Sequence, residues 1–191
     1  MLILYIDFKS AASYLALEPT LELAQESEIT IDWRPFSVRP FSVPVEQDEE
    51  TVGERHRRVR AAAQRDVHLH YAAVQGRNMH FADTPAGSDA ALAALAVIEG
   101  DPVPFIRAAF AAYWSKQADL ADEAVVEILL RSVGIDRPDW QKAKAEMASI
   151  RSKAEESGIF EAPSYLIADQ LFLGREHLPW IRSLIAAEQG D

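Results

Sequence analysis

The chain contains no cysteine among its 191 residues. It therefore cannot form a disulfide bond, a thiolate metal site, a cysteine nucleophile or a CxxC redox centre. Sulfur chemistry is open to this protein only if a ligand supplies the sulfur atom. The chain is also short of positive charge, with 19 Lys and Arg against 30 Asp and Glu and a formal net charge of −11. We expect no nucleic-acid partner, because an acidic chain repels phosphate backbones.

Long apolar runs are absent too. The run from Leu2 to Ile6 is too short for the core of a signal peptide, and no basic residues precede it. The stretch from Ala90 to Ile98 falls short of the ~20 residues that a bilayer-spanning helix needs. The sequence therefore predicts no membrane partner and a cytoplasmic location.

The histidine pattern predicts no metal site. His68 and His70 are two residues apart, so they point to different sides of a helix, whereas ligands on one helix are three or four residues apart. His56 and His80 are isolated, and the sequence has no HExxH motif. GxGxxG, Walker and GxSxG motifs are absent as well, which argues against phosphate-loop proteins and α/β-hydrolases.

The order of hydrophobic patterns predicts strands at both ends of the chain and helices between them. A buried strand over Leu2–Ile6, a helical pattern after Ser13 and an alternating segment over Ile29–Trp33 form a β-α-β unit. Pro19 predicts a kink or a break in the first helix. The remaining pattern predicts helices over 54–74, 87–99, 102–116, 123–132, 140–156 and 178–188, and a hairpin of strands 164–168 and 171–173 with a turn at 169–170.

A β-α-β unit followed by β-β-α is the element order of the thioredoxin fold. We therefore predict an α/β thioredoxin-like fold with a large all-helical insertion between the second and third strands. The predicted domains are a discontinuous thioredoxin-like domain over 1–45 and 139–191 and a helical insertion domain over 46–138.

Two serines stand where the first strand passes into the first helix. Ser10 and Ser13 have the spacing of the two cysteines of a CxxC motif. A serine hydroxyl cannot exchange disulfides, but at a helix N-terminus it can donate a hydrogen bond to a thiolate that a ligand carries. The other interpretation is that the serines only cap the helix, which is worth ~1 kcal/mol. These residues alone leave both interpretations open.

Two further motifs flank the last hairpin. Pro163 precedes an apolar strand, and it marks either a cis peptide bond with Ala162 or a trans proline that starts an edge strand. A cis bond would turn the Ala162 backbone toward the first helix, where it could pair with an extended, peptide-like ligand. The segment Gly174-Arg175-Glu176-His177 either stabilises the start of the last helix or holds the charged end of the same ligand.

Together these segments resemble the kappa-class glutathione transferases and the 2-hydroxychromene-2-carboxylate isomerases, which belong to the DsbA-like thioredoxin superfamily. The resemblance covers essentially the whole chain. The family's opening motif, D-F-x-S-P-Y/F-S-Y-L-A, is similar to the segment from Asp7 to Ala16. Its G-V-P-T and W-G-x-D-R-L motifs are similar to Glu161-Ala162-Pro163-Ser164 and to Leu173-Gly174-Arg175-Glu176-His177-Leu178.

The resemblance implies that glutathione is the cofactor and that Ser10 is the catalytic residue, stabilising its thiolate. It implies that Ala162 and Pro163 pair with the glutathione backbone. The γ-glutamyl end would be faced by Arg175, Glu176 and His177. In the isomerases, glutathione adds to an electron-poor double bond of a small aromatic or hydroxy acid, the adduct rotates, and elimination returns glutathione. The family further implies a homodimer.

Three departures from the family motifs keep other functions open. Ala11 and Ala12 replace a Pro-aromatic pair, which opens the pocket and leaves room for a substrate other than the usual bicyclic acid. His177 replaces an arginine and so lacks its permanent charge. Glu161 adds a negative charge near the expected thiol. The alternatives are a glutathione transferase or peroxidase of the kappa type, and a cysteine-less DsbA-like protein that binds a ligand without catalysis.

Overall fold

The computed structural model describes residues 1–190. One mixed sheet has the strand order β2-β1-β3-β4, where the strands are β1 (Leu2–Ile6), β2 (Ile31–Pro35), β3 (Ser164–Ile167) and β4 (Gln170–Leu173). β1 runs parallel to β2 and antiparallel to β3, and β3 and β4 form an antiparallel hairpin. Leu2, Leu4 and Ile6 are at most 1% exposed, which confirms β1 as the buried central strand.

Helix α1 (Ala11–Glu26) connects β1 to β2, and five helices lie between β2 and β3. These are α2 (Val52–Val74), α3 (Asp89–Leu95), α4 (Val103–Lys116), α5 (Glu123–Ser132) and α6 (Trp140–Glu156). A short 3-10 helix at Arg175–His177 leads from the hairpin into α7 (Leu178–Gly190). The predicted α/β fold with a helical insertion between the second and third strands is confirmed. The division of the chain at residues 45/46 and 138/139 stays a prediction.

An aromatic cluster packs the helices onto the junction between β1 and α1. The ring of Phe8 lies 5.1 Å from that of Phe110 in α4, and Tyr14 of α1 stacks on Trp114 at 6.0 Å. The Trp114 indole N–H also donates a hydrogen bond to the Phe8 carbonyl at 2.9 Å. Each such buried aromatic contributes roughly 1.5–3 kcal/mol through removal of its surface from water. The insertion is thereby fixed against the segment that carries Ser10.

The break expected at Pro19 does not occur, and α1 runs without interruption past this residue. Proline cannot donate the backbone hydrogen bond that would normally reach the Leu15 carbonyl. The Gln75 side chain at the end of α2 replaces that donor, with its amide nitrogen 3.1 Å from the Leu15 oxygen. Of the kink or break predicted at Pro19, the break was wrong, because the substitute donor lies 60 residues away in the sequence.

Several element ends differ from the predicted ones, and the largest difference is at α3, which covers Asp89–Leu95 rather than 87–99. β2 begins at Ile31 rather than at Ile29, since the Ile29 amide donates to the Ala24 carbonyl at 3.0 Å and so closes the end of α1. The hairpin turn is Ala168-Asp169, where both residues have positive φ angles of 47° and 58°. This matches the two-residue turn that joins right-twisted strands. Among residues 1–190, no helix has both the length and the apolar character needed to cross a membrane.

Candidate functional site

Ser10 caps α1 and also joins two distant segments of the chain. Its hydroxyl oxygen accepts a hydrogen bond from the Ser13 amide at 3.1 Å, the usual capping interaction. The same hydroxyl donates to the Ala162 carbonyl at 2.7 Å. Ser10 is 9% exposed. The capping bond is therefore present, and both the role of Ser10 toward a thiolate and the interpretation that it only caps the helix stay predictions.

The peptide bond between Ala162 and Pro163 is cis. The Ala162 carbonyl accepts the Ser10 hydroxyl, whereas the Ala162 amide makes no hydrogen bond to any other residue in the range 1–190. The Pro163 carbonyl accepts from the Gly174 amide at 2.9 Å. Ala162 therefore offers an incoming ligand a donor, but a donor on the ligand would compete with Ser10 for the carbonyl.

A cavity of about 610 Å³ opens beside this junction. It joins the first turn of α1, the segment before β3, the turn that opens α7 and one face of α2. Its lining residues are Ala12, Gln64, Val67, His68, Tyr71, Glu161, Pro163, Gly174, Arg175, Glu176 and Pro179. A cavity of this size is typical of small-molecule sites.

The structure brings three of the predicted binding residues to this cavity: Pro163, Arg175 and Glu176. Ala162 is adjacent in sequence to the lining residue Pro163, and Ser10 stands two positions before the lining residue Ala12. Neither Ser10 nor Ala162 lines the cavity itself. His177 lies outside the lining too, with its ring 5.9 Å from that of Phe172. The assignments of these residues to glutathione stay predictions.

Arg175 places a positive charge in the cavity. Its guanidinium carbon lies 4.1 Å from the centre of the Tyr71 ring, a cation–π contact that orients the side chain. No carboxylate among residues 1–190 forms a salt bridge with it. Arg175 is thus available to a carboxylate that a ligand carries.

Gly174 shapes the turn that presents Arg175 and Glu176. It has a φ angle of 86°, which side chains rarely adopt, and a Cβ atom at this position would collide with the Glu176 carboxylate. The carboxylate of Glu176 therefore folds back over Gly174. Glu161 lines the same cavity, so Arg175 shares the space with two acidic side chains.

A buried ion pair supports the loop that leads to Ser10. Asp7 and Lys9 are 0% and 6% exposed, and their charged groups are 2.7 Å apart. The Asp7 carboxylate also accepts from the Lys9 amide at 3.1 Å, the Ser88 hydroxyl at 2.6 Å and the Val38 amide at 2.7 Å. A buried ion pair is tolerated when its remaining hydrogen-bonding capacity is satisfied in this way.

The ammonium group of Lys9 is fully partnered. Besides Asp7 it donates to Ser37 at 3.0 Å and to Ser88 at 3.1 Å, which accounts for its three N–H bonds. The sequence analysis missed Lys9 because it stands at the variable position of the opening motif. The positive charge of Lys9 therefore stabilises the loop that leads to Ser10.

The α2 wall of the cavity was also missed. Gln64, Val67, His68 and Tyr71 have the spacing i, i+3, i+4, i+7, which places them on one helix face. That spacing was the signal available in the sequence. The spacing alone does not reveal what this helix face lines, because a solvent-exposed helix can show the same spacing.

The whole architecture matches one family. The family model of the DSBA-like thioredoxin domain matches residues 1–186, so the chain belongs to this family. The thioredoxin-like fold with inserted helices that the sequence predicts agrees with this family, and so does the mixed sheet of four strands in the structure.

Individual relatives narrow the comparison. The chain is 26% identical over 191 residues to a 2-hydroxychromene-2-carboxylate isomerase of Sphingobium xenophagum, with 95% of each chain covered. A solved structure of 2-hydroxychromene-2-carboxylate isomerase superimposes with a TM-score of 0.76, at 18% identity and 97% and 94% coverage. The cytosolic disulfide reductase DsbM of Pseudomonas aeruginosa with GSH gives a TM-score of 0.58, at 18% identity and 100% and 99% coverage.

Proposed function

We propose that this protein is a glutathione-dependent isomerase of the 2-hydroxychromene-2-carboxylate isomerase type, acting on small aromatic or hydroxylated acids. The observation that carries the proposal is the cavity of about 610 Å³, which unites the α1 N-terminus, Pro163 and Arg175. The isomerase relative, similar over 95% of the chain, gives the reaction class. A fold relative with GSH supports the choice of thiol.

The residues at the cavity fit glutathione. Arg175 has no carboxylate partner within residues 1–190 and can pair with the γ-glutamyl carboxylate. The free amide of Ala162 can donate to a peptide carbonyl of an extended ligand beside Pro163. Ala12 lies in the first turn of α1, whose amides favour negative charge.

Bound glutathione would supply a thiolate that adds reversibly to an electron-poor double bond of the substrate and so permits rotation about it. The chain's own contribution is to hold that thiol at the α1 N-terminus and to keep it ionised. Ser10 would do so by turning its hydroxyl proton from the Ala162 carbonyl toward the sulfur. The hydroxyl can make this exchange because it rotates about a single bond.

One observation favours a different function. The Ser10 hydroxyl donates to the Ala162 carbonyl at 2.7 Å, and the residue is almost buried. This geometry suits a structural serine, and it supports the alternative of a cysteine-less DsbA-like protein that binds its ligand without catalysis. A glutathione transferase of the kappa type would use the same cavity and the same contacts as the proposed isomerase.

Calorimetric titration with glutathione tests the proposal. The wild-type protein is expected to bind at millimolar concentration or below, and Arg175→Gln is expected to bind about 10-fold more weakly or worse, because a charge-assisted hydrogen bond is lost. Arg151→Gln is the matched control, since Arg151 lies on α6 and pairs only with Glu155 at the surface. It should bind as the wild type does.

The outcomes separate the candidate functions. Absence of heat and of a thermal shift with the wild-type protein at millimolar glutathione would overturn both glutathione-dependent functions. Binding without turnover of 2-hydroxychromene-2-carboxylate would leave isomerisation of another small acid, conjugation to an electrophile, or binding alone, as the activity.

A further inference from the structure

His68 is a polar residue in the most apolar wall of the cavity. It lies on α2 between Val67 and Tyr71, whose side chains are 51% and 42% exposed and line the same space. Behind the wall, its ring packs against Phe41 at 6.1 Å and stacks on Phe81 at 6.3 Å. These two contacts hold the imidazole in one orientation.

The two ring nitrogens of His68 have different surroundings. Nδ1 is buried and has no hydrogen-bond partner within residues 1–190. Nε2 has no protein partner in this range either, but it is not buried, so a ligand can reach it. A buried donor left without an acceptor costs free energy. The proton of the neutral ring is therefore better placed on Nε2, at the accessible edge of the ring.

The surroundings of His68 favour its neutral form. Burial lowers the pKa of His68 from its ordinary value of 6.5, and the positive charge of Arg175 lowers the pKa further. The other ionisable groups that line the cavity are Glu161, Glu176 and the Tyr71 hydroxyl. A neutral imidazole with its proton on Nε2 is a fixed hydrogen-bond donor at neutral pH.

We propose that His68 determines specificity in this cavity: its Nε2–H donates a hydrogen bond to a carboxylate or keto oxygen of a small aromatic acid whose ring lies against Val67 and Tyr71. The proposal rests on the proposed function for the class of substrate, an aromatic acid. Gln64, one turn earlier on the same face, is exposed and not held by aromatic neighbours. His68 is therefore the oriented donor of the α2 wall.

The tautomer of His68 can be read without any ligand. In the ¹⁵N-labelled protein at pH 7.5, long-range ¹H–¹⁵N spectra are expected to show His68 with a protonated Nε2 and an unprotonated Nδ1. The resonance is assigned by its loss in His68→Phe. A proton on Nδ1, or an imidazolium at this pH, would overturn the proposal.

Salicylate serves as the probe for binding. His68→Phe keeps an aromatic ring against Phe41 and Phe81 but removes the donor, and it is expected to bind salicylate at least about 5-fold more weakly than the wild type. His68→Gln places an amide N–H near the position of Nε2 and is expected to restore most of the affinity. His56→Phe, at an exposed position on the same helix and far from the cavity wall, is the control and should change nothing.

Equal affinity of the wild type and His68→Phe for salicylate would contradict the proposal, and so would absence of binding to the wild type at high millimolar salicylate. Glutathione titration of the same variants separates this test from that of the proposed function. His68→Phe should bind glutathione as the wild type does. If the wild type takes salicylate through His68 but never binds glutathione, the proposed function fails and the assignment of His68 stands.

Discussion

Ser10 connects α1 to the segment before β3 through a single hydroxyl group. That group completes the helix cap by accepting from Ser13 and satisfies the Ala162 carbonyl by donating to it. The Ser10 hydroxyl can donate a hydrogen bond to a ligand thiolate only if it stops donating to the Ala162 carbonyl. The interaction with a thiolate is therefore an exchange of one acceptor for another, and its net strength is smaller than that of a new hydrogen bond.

We expect Ser10→Ala to lower the turnover of 2-hydroxychromene-2-carboxylate by about 10-fold or more, as loss of a donor to a reacting anion does. The variant should also unfold at a lower temperature, because loss of the cap costs about 1 kcal/mol. Ser10→Thr keeps the hydroxyl and should retain most of both properties. Turnover of Ser10→Ala equal to that of the wild type would make Ser10 a cap without a catalytic role.

At the scale of the helices and strands, α1 shows how a remote residue overrides a local rule. Pro19 leaves the Leu15 carbonyl without its helical donor, and Gln75 from the end of α2 supplies one. Arg77 strengthens the same junction by donating to the Tyr14 carbonyl at 3.1 Å and packing over the Tyr14 ring at 4.6 Å. The end of α2 thus stabilises the middle of α1.

A double-mutant cycle tests this compensation. Gln75→Ala is expected to reduce the free energy of unfolding by about 1 kcal/mol, the net value of one hydrogen bond. In the Pro19→Ala background the backbone amide restored by the substitution can reach the Leu15 carbonyl, so Gln75→Ala should cost clearly less there. Urea unfolding of the four proteins measures the difference. An equal cost in both backgrounds would show that Gln75 does not act through Leu15.

The sequence predicted those elements whose patterns are local. The buried run over Leu2–Ile6, the cap at Ser10 and the bounds of α5 and α6 follow from hydrophobic spacing and capping residues within a few positions. The uninterrupted α1 could not be predicted in this way, since its continuity depends on Gln75. The same limit applies to the cavity: the motif residues at Pro163 and Arg175 were predicted, whereas the wall around His68 depends on how α2 packs.

At the scale of the whole molecule, folding stability is linked to pH through buried ionisable groups. The pKa of His68 is lower in the folded protein than the value of 6.5 expected in the unfolded chain. Its contribution to stability is therefore fully present above pH 6.5 and is lost as the pH falls through the folded value. Arg107 and Arg77 lower the pKa of Glu18 from its ordinary value of 4.5, so the contribution of Glu18 is lost only in a more acidic range.

The free energy of unfolding of the wild type is expected to decrease between pH 7 and pH 5. In His68→Phe, which has no titrating group at this position, the decrease should be smaller. Denaturant unfolding at several pH values gives the comparison, and parallel profiles for the wild type and His68→Phe would contradict the linkage to His68.

The chain has a net charge of −11, and α2 exposes apolar residues at its surface. Val52 and Val74, at the two ends of this helix, are 73% and 70% exposed, and Ala72 is its one buried residue among those described. The homodimer and the cytoplasmic location expected from the sequence stay predictions.

The Asp7–Lys9 pair has a consequence for the construction of chimeric proteins. Ser88, which bonds to both charged groups, lies at the start of α3 and 81 positions beyond Asp7. A shortened variant in which a linker replaced residues 46–138 would keep every strand of the sheet and Ser37, yet it would remove the Ser88 hydroxyl, which bonds to both charged groups. The inserted helices are therefore not an interchangeable cap, and grafting another member's insertion onto this sheet would require that a hydroxyl be carried to the same place.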